Sequence, residues 1–223
     1  MKLSTNTPLD KLLDGGIEND AITNVFGPAG SGKTNVAIST ALQCLKTKNV
    51  IYIDTEGSFS LDRFYQLGGD DKKARKITFI EPHTWEEQHN TVQNLESKIN
   101  KNIGLIVVDS FVALYRLELD KENFQKINKQ LATQYSILSR IARKDKIPVL
   151  VTNQVYNVGD NIELTSRTIA RYWSKALIEL KKLEKDNHRI AILRRHRSLG
   201  EGQKIEFVIE RDKLRQLGKF ELF

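Results

Sequence analysis

Cysteine and proline are both scarce. Cys44 is the only cysteine, and the four prolines lie scattered at positions 8, 28, 82 and 148. A lone cysteine excludes an internal disulfide and a cysteine-ligated metal cluster. Its place among apolar helix positions makes it a small buried hydrophobe. There is no repeat, low-complexity tract or proline-rich linker, so one domain is expected over residues 1–223. No apolar run is long enough to cross a bilayer, so no membrane partner is expected. The first twenty residues lack the apolar core of a signal peptide, which places the chain in the cytoplasm. What is present is 223 residues, 39% hydrophobic and 28% charged, enough for one α/β domain with a large core. The net charge of +7 and the pI near 9.4 favour polyanionic partners, but not until the charges are located.

The most informative stretch is Gly27-Pro28-Ala29-Gly30-Ser31-Gly32-Lys33-Thr34, which fits the phosphate-binding pattern G-x-x-x-x-G-K-[ST]. Gly30 and Gly32 allow backbone angles closed to other residues. Successive N–H groups can then line one concavity around an anion. A helix starting near Lys33 adds its positive dipole end. In this pattern Lys33 reaches the β- and γ-phosphates and the Thr34 hydroxyl ligates Mg²⁺. The expected cofactors are therefore ATP and Mg²⁺. The context agrees: a β-prone run from Ala21 to Phe26 precedes the loop. After it, Val36, Ala37, Ile38, Ala41, Leu42 and Leu45 recur at helical spacing.

Along the rest of the chain, Leu9, Leu12, Leu13 and Ile17 predict a small helix and turn around Gly15-Gly16. This segment starts almost at Met1 and leaves no room for an N-terminal domain. Strands are predicted over 49–54, 77–80, 103–109 and 147–152, alternating with helices over 61–67, 84–100 and 123–145. The run from Ile103 to Asp109 is the most continuously apolar, as in a central parallel strand buried on both faces. Trp85 and His89 fit packing rather than ligation. Residues 175–182 and 189–193 read as paired strands, and 205–209 as a last edge strand. The alternation predicts an α/β fold: a mostly parallel twisted sheet flanked by helices, with antiparallel strands on the C-terminal side.

In open α/β sheets, ligands sit beyond the carboxyl ends of the strands. Four strands here end in polar groups: the P-loop, Glu56, Asp109 and Gln154. Asp109 closes an apolar strand, as a Walker B acid holding Mg²⁺ does. Glu56 could orient and deprotonate the attacking water. Gln154 could contact the γ-phosphate and report its loss through the loop behind it. Towards the C-terminus, Arg194-Arg195-His196-Arg197, with Arg189 nearby, form a dense basic cluster predicted at a strand end, and Arg167 and Arg171 could join it. Such clusters fit sequence-independent phosphate contact, so DNA is the expected macromolecular partner.

Several ordered stretches resemble the RecA/RadA recombinase core. They are Tyr52-Ile53-Asp54-Thr55-Glu56-Gly57-Ser58-Phe59; Val107-Val108-Asp109-Ser110 with Ala113-Leu114-Tyr115-Arg116; and Val151-Thr152-Asn153-Gln154-Val155. The segment Leu9 to Ile17 is similar to that core's opening. The resemblance covers nearly the whole chain and implies a RecA-like P-loop ATPase core. It implies Glu56 as the catalytic carboxylate, Gln154 as the γ-phosphate sensor and Arg63 as the arginine stacking on adenine, a physically reasonable pairing of guanidinium and π-face.

The departures from that core matter as much. RadA carries an N-terminal helical DNA-binding domain and a linker phenylalanine that docks into the next protomer; this sequence begins at the core. The stretches matching the two DNA-binding loops, near Arg116 and over 155–167, are short. A RadA-like core without that domain and with a basic C-terminal segment resembles the RadB family of archaeal RadA paralogues. That resemblance implies an accessory factor of recombination that binds ATP and DNA, hydrolyses ATP feebly and exchanges no strands. It also implies RadA or a Holliday-junction nuclease as protein partner and a monomer or dimer rather than a long filament. A non-enzymatic nucleotide-gated clamp, a filament-forming recombinase and a KaiC-like signalling ATPase remain open alternatives.

Overall fold

The computed structural model describes the backbone of residues 1–158, 161–164 and 167–221 and the side chains of residues 1–155 and 168–218. In chain order the elements are β1 (Lys2–Leu3), α1 (Leu9–Leu12), β2 (Ile17–Glu18), β3 (Ile22–Phe26), α2 (Lys33–Cys44), β4 (Asn49–Asp54), α3 (Leu61–Gln66), α4 (Asp71–Ala74) and β5 (Ile77–Ile80). Then come α5 (Trp85–Gln93), β6 (Ile103–Asp109), α6 (Ala113–Glu118), α7 (Phe124–Asp145), β7 (Val149–Asn153), β8 (Val155–Val158), β9 (Asn161–Leu164), α8 (Arg167–Trp173), β10 (Ala176–Lys182), β11 (His188–His196), β12 (Lys204–Ile209) and β13 (Leu214–Glu221).

Nine strands form the main sheet in the order β13-β12-β11-β10-β3-β7-β6-β4-β5. From β10 to β5 every neighbour is parallel; from β10 to β13 every neighbour is antiparallel. The central strands are apolar and β-branched because both their faces are covered. Alternation along them divides the core into two layers. Ile51, Ile53, Ile106, Val108, Val149 and Val151 pack with α5, α7 and α8. Val50, Tyr52, Leu105, Val107 and Leu150 pack with α1 and α2.

The strand order also fixes where the site lies. The chain crosses from β3 over α2 to β4, and β7 and β6 lie between those two strands. The carboxyl ends of all four therefore open on the same side, at the point where strand order reverses.

Four local expectations change. The helix expected over 84–100 ends at Gln93 and resumes as a 3₁₀ turn over Leu95–Lys98. At the break, the Asn94 side chain donates to the Asn90 carbonyl at 2.9 Å, the local competition that makes Asn a poor helix interior residue. Strand β12 is not an edge, because β13 pairs with it. Strand β13 is polar and interrupted by Gly218, so it carries a weak strand signal and suits an exposed edge. Residues 2–3 and 17–18 pair as β1 and β2, too short for periodicity to reveal. Finally, β11 runs on through His196, so the basic cluster lies mostly within a strand. Trp85 and His89 fall in the packing layer as expected: Trp85 is buried and donates to Gln130 Oε1 at 2.7 Å.

Candidate functional site

Residues 27–32 form a turn between β3 and α2, and Lys33 and Thr34 open the helix. Gly30 and Gly32 hold φ of 70° and 103°, the left-handed region that glycine tolerates. A Cβ on Gly27 would stand 2.3 Å from the Leu180 carbonyl oxygen of β10, so only glycine fits beside that strand. Gly32 caps α2, whose first turn carries no acid. The positive end of the helix therefore faces the loop uncompensated. Lys33 Nζ donates to the Gly27 and Pro28 carbonyls at 2.9 and 3.0 Å, inside the loop's concavity. Burial lowers the Lys33 pKa, opposed by the negative charges of Glu56 and Asp109. Ser31 Oγ is buried without a hydrogen-bond partner among the described residues. A nest of backbone N–H groups, a buried ammonium and an unpaired hydroxyl together fit a polyphosphate.

Asp109 ends β6 and is almost wholly buried. Its carboxylate accepts hydrogen bonds from the Tyr52 hydroxyl at 3.0 Å and from Ser58 Oγ at 3.2 Å. The hydroxyl of Thr152 also donates to it. Burial raises the Asp109 pKa, and the hydroxyls of Thr152, Thr34 and Tyr52 pull it back. Burial likewise pushes the Tyr52 phenol well up, and the adjacent carboxylate adds to that. Thr34 Oγ1 in turn lies 3.3 Å from Ser58 Oγ. The oxygens of Thr34 and Asp109 thus stand together beside the phosphate loop, a donor set that fits Mg²⁺. No group of three or more His, Cys, Asp or Glu converges among the described residues.

Across the opening, Gln154 Nε2 donates to Glu56 Oε1 at 2.7 Å. The side-chain carbonyl oxygen of Gln154 accepts from Arg116 Nη1 at a longer 3.4 Å. Glu56 is exposed, so its carboxylate can reach water.

The loop that carries Glu56 is shaped by Asp54, a buried acid that reading the sequence passed over. Its Oδ1 accepts from the backbone N–H groups of Glu56 and Ser58 at 3.1 and 3.2 Å, and its Oδ2 from that of Phe59 at 2.9 Å. A strand-ending Asp followed by Thr-Glu-Gly-Ser is the available signal, since Asp bonds its own backbone two residues on. Tyr52, Ser58 and Thr152 were likewise visible only as strand or loop residues; their role as donors to Asp109 needs the register.

Arg63, the residue expected at the base, is placed on α3 against the phosphate helix. Nε donates to Asn35 Oδ1 at 2.5 Å, Nη1 to the Arg211 carbonyl at 2.6 Å and to Gln66 Oε1 at 3.2 Å, and Nη2 to the Glu210 carbonyl at 3.0 Å. The guanidinium is thereby held between α2 and the β12–β13 turn.

The basic cluster is not brought together as one patch. Arg189 Nη2 and Nε donate to the Gly30 carbonyl at 2.9 and 3.2 Å, so this arginine buttresses the phosphate loop from the far end of β11. Arg194 pairs with Glu179 at 2.5 Å, and Arg195 donates to the Arg171 carbonyl. His196 is buried, and its Nδ1 accepts from the N–H groups of Ser198 and Leu199 at 3.2 Å each. Burial lowers its pKa. Arg197 pairs with Glu18 and Asp20, both at 2.8 Å. The pairing of β10 with β11 shifts register at Arg194, and Arg197 lies beyond the end of β11, which is why adjacency in sequence did not become adjacency in space. Of the two arginines considered alongside, Arg171 lies on α8, and the side chain of Arg167 lies outside the described residues.

Comparison with known proteins agrees with this architecture. The Rad51 family profile matches residues 1–202. The chain is 40% identical over 222 residues to the DNA repair and recombination protein RadB of Methanobrevibacter smithii, covering 94% of each. It is 41% identical over 219 residues to the RadB of Methanococcoides burtonii, covering 96% of each. A crystal structure described as the RadB recombinase superposes with a TM-score of 0.83 at 35% identity, covering 97% of this chain and 100% of that one. The family profile over residues 1–202 and relatives about 40% identical across nearly their whole length place this chain in the Rad51 family, among its RadB members.

Proposed function

We propose that the chain acts in DNA repair and recombination by binding ATP with Mg²⁺ at the P-loop and DNA without reading its sequence. The observation that carries this is the contact between Glu56 and Gln154 at the mouth of the phosphate loop. One side chain is suited to activate water, and the other to sense what that water attacks. Lys33 and the backbone of 27–34 would bind the phosphates, Thr34 and Asp109 the metal, and Arg63 the base. Bound Mg²⁺ would neutralise developing phosphate charge. Glu56 would orient and deprotonate the attacking water. Gln154 would hand any displacement to β8, which begins at the next residue.

Hydrolysis by the isolated chain is expected to be slow. The acid is exposed, and electrostatic stabilisation is weaker in a wet site. An arginine or lysine supplied by a neighbouring subunit elsewhere raises turnover by several orders of magnitude. This reading makes the chain an accessory factor without strand exchange of its own, acting with RadA or a branch-cutting nuclease as monomer or dimer. Arg194, Arg195 and Arg197 would meet DNA phosphates; Arg189 and His196 are committed to the phosphate loop and the interior and are left out.

The test is Glu56→Gln assayed for ATP binding, hydrolysis and DNA binding. Binding of both should persist while turnover is lost. Unchanged turnover would refute the role of Glu56. Replacing Arg194, Arg195 and Arg197 by Ala should weaken binding to every DNA sequence alike.

A further inference from the structure

An open cleft of about 700 Å³ lies between the C-terminal end of α7 and α8, away from the phosphate loop. Its lining includes Arg140, Arg143, Lys144, Lys146, Trp173 and Asp20. Position counting on α7 explains the concentration: residues 136, 139, 140, 143 and 144 share one face, and here they are Ser, Ser, Arg, Arg and Lys. Cations in a last helical turn suit the helix dipole. The dipole does not explain a cleft beside them or the tryptophan that lines it, Trp173. Tyr172 is 71% exposed and meets the half-buried Trp173 edge to face, with ring centroids 5.2 Å apart.

The charges are largely available. Arg140 is engaged by Glu96, with Nε–Oε1 at 2.9 Å. Arg143, Lys144 and Lys146 are exposed and form no salt bridge with an acid among the described residues. The acid of the lining, Asp20, is already held by Arg197. That pairing also joins the cleft to the basic end of β11, and the bond from Arg195 to the Arg171 carbonyl ties the same segment to α8.

We propose that this cleft is a binding site for single-stranded nucleic acid, with Arg143, Lys144 and Lys146 on the backbone phosphates and Trp173 stacking on a base. Cations that track a backbone beside an aromatic ring are the recurring arrangement for strands whose bases are unpaired. A duplex hides its base faces, and an acidic peptide has none. The proposal deepens the DNA-binding reading above and rests on it: the arginines of β11 and its end would continue the same track.

Trp173 is one of only two tryptophans, and the other, Trp85, is buried. The difference in emission between the unmodified protein and Trp173→Phe therefore reports the cleft. The full-length protein is titrated with an oligothymidylate of about 15 nucleotides, near the upper end of what one such site covers. We expect quenching of tryptophan emission, abolished by Trp173→Phe. Replacing Arg143, Lys144 and Lys146 together by Ala should raise the Kd at least about tenfold. It should also flatten the slope of log Kd against log salt by about 2, the change expected when three cations no longer neutralise single-strand phosphates. Replacing Arg194, Arg195 and Arg197 should weaken binding but leave the quench at saturation.

The proposal falls if the α7 variant binds with unchanged affinity and salt slope. It falls equally if a duplex of the same length, or polyglutamate, quenches as strongly as the single strand. If the wild type binds DNA without any change in Trp173 emission, this cleft is wrong while the broader DNA-binding reading stands. If it binds no DNA at all, both fail. The comparison of single strand with duplex on the unmodified protein decides the matter even if a variant folds poorly.

Discussion

At the carboxyl edge of the parallel half of the sheet, Glu56 and Gln154, 98 positions apart, meet at 2.7 Å. In the antiparallel half, four consecutive basic residues, Arg194 to Arg197, go to separate places: Glu179, the Arg171 carbonyl, the interior, and Glu18 with Asp20. Parallel strands all end on one side, so any strand-end residue is delivered to a common place. In the basic stretch, the register with β10 shifts at Arg194 and the strand ends at His196, so a cluster in sequence is dispersed. The parallel edge gathers distant residues in one place; the antiparallel half spreads neighbouring ones over separate partners.

The sharpest way to break this comparison is Glu56→Gln. If the edge is a hydrolytic site, ATP turnover should drop at least about a hundredfold, the usual span for a removed general base. Phosphate release, measured with nucleotide affinity in parallel, checks it. Next comes Asp54→Ala. Three backbone donors would lose a buried acceptor, so chemical denaturation should show a stability loss of about 2–3 kcal/mol. Nucleotide affinity should fall too, because the loop bearing Glu56 and Ser58 is no longer held. A loss of stability with an intact nucleotide site would mean that the loop is positioned by something else.

For the other half, Arg197→Ala should cost no more than about 1 kcal/mol, since the guanidinium is partly exposed and its pairs with Glu18 and Asp20 are screened by solvent. A much larger loss would show that these pairs organise the fold. Smallest of all is the response of Cys44. Burial pushes its thiol up to about 11, so at pH 8 almost none is thiolate. A thiol reagent should leave the native protein unlabelled and react fully only in denaturant.

Much of this was legible beforehand, for reasons the structure makes plain. The glycine-rich turn between β3 and α2 declares itself because the pattern G-x-x-x-x-G-K-[ST] prescribes particular residue types at fixed spacing. Asp109 declares itself because an apolar strand ends there in a charge. What was hidden depends on register. Tyr52 and Thr152 read as ordinary strand residues, yet pairing of β4 and β7 with β6 brings their hydroxyls to Asp109. Asp54 read as a neighbour of Glu56 rather than the acid that shapes its loop. Arg189 read as part of a basic cluster because nothing in the sequence says that β11 starts beside Gly30. Strand β13 was missed because an exposed edge strand can be polar and can carry a glycine.

Nucleotide is expected to bind where the glycine-rich turn, Asp109 and Glu56 converge. Titration calorimetry of the purified protein with ATP and Mg²⁺ tests it most directly. One nucleotide per chain is predicted, with binding weakened about tenfold or more by Lys33→Ala, as expected for losing a buried charge-assisted contact. No heat of binding, or an unchanged isotherm in the Lys33 variant, would contradict it.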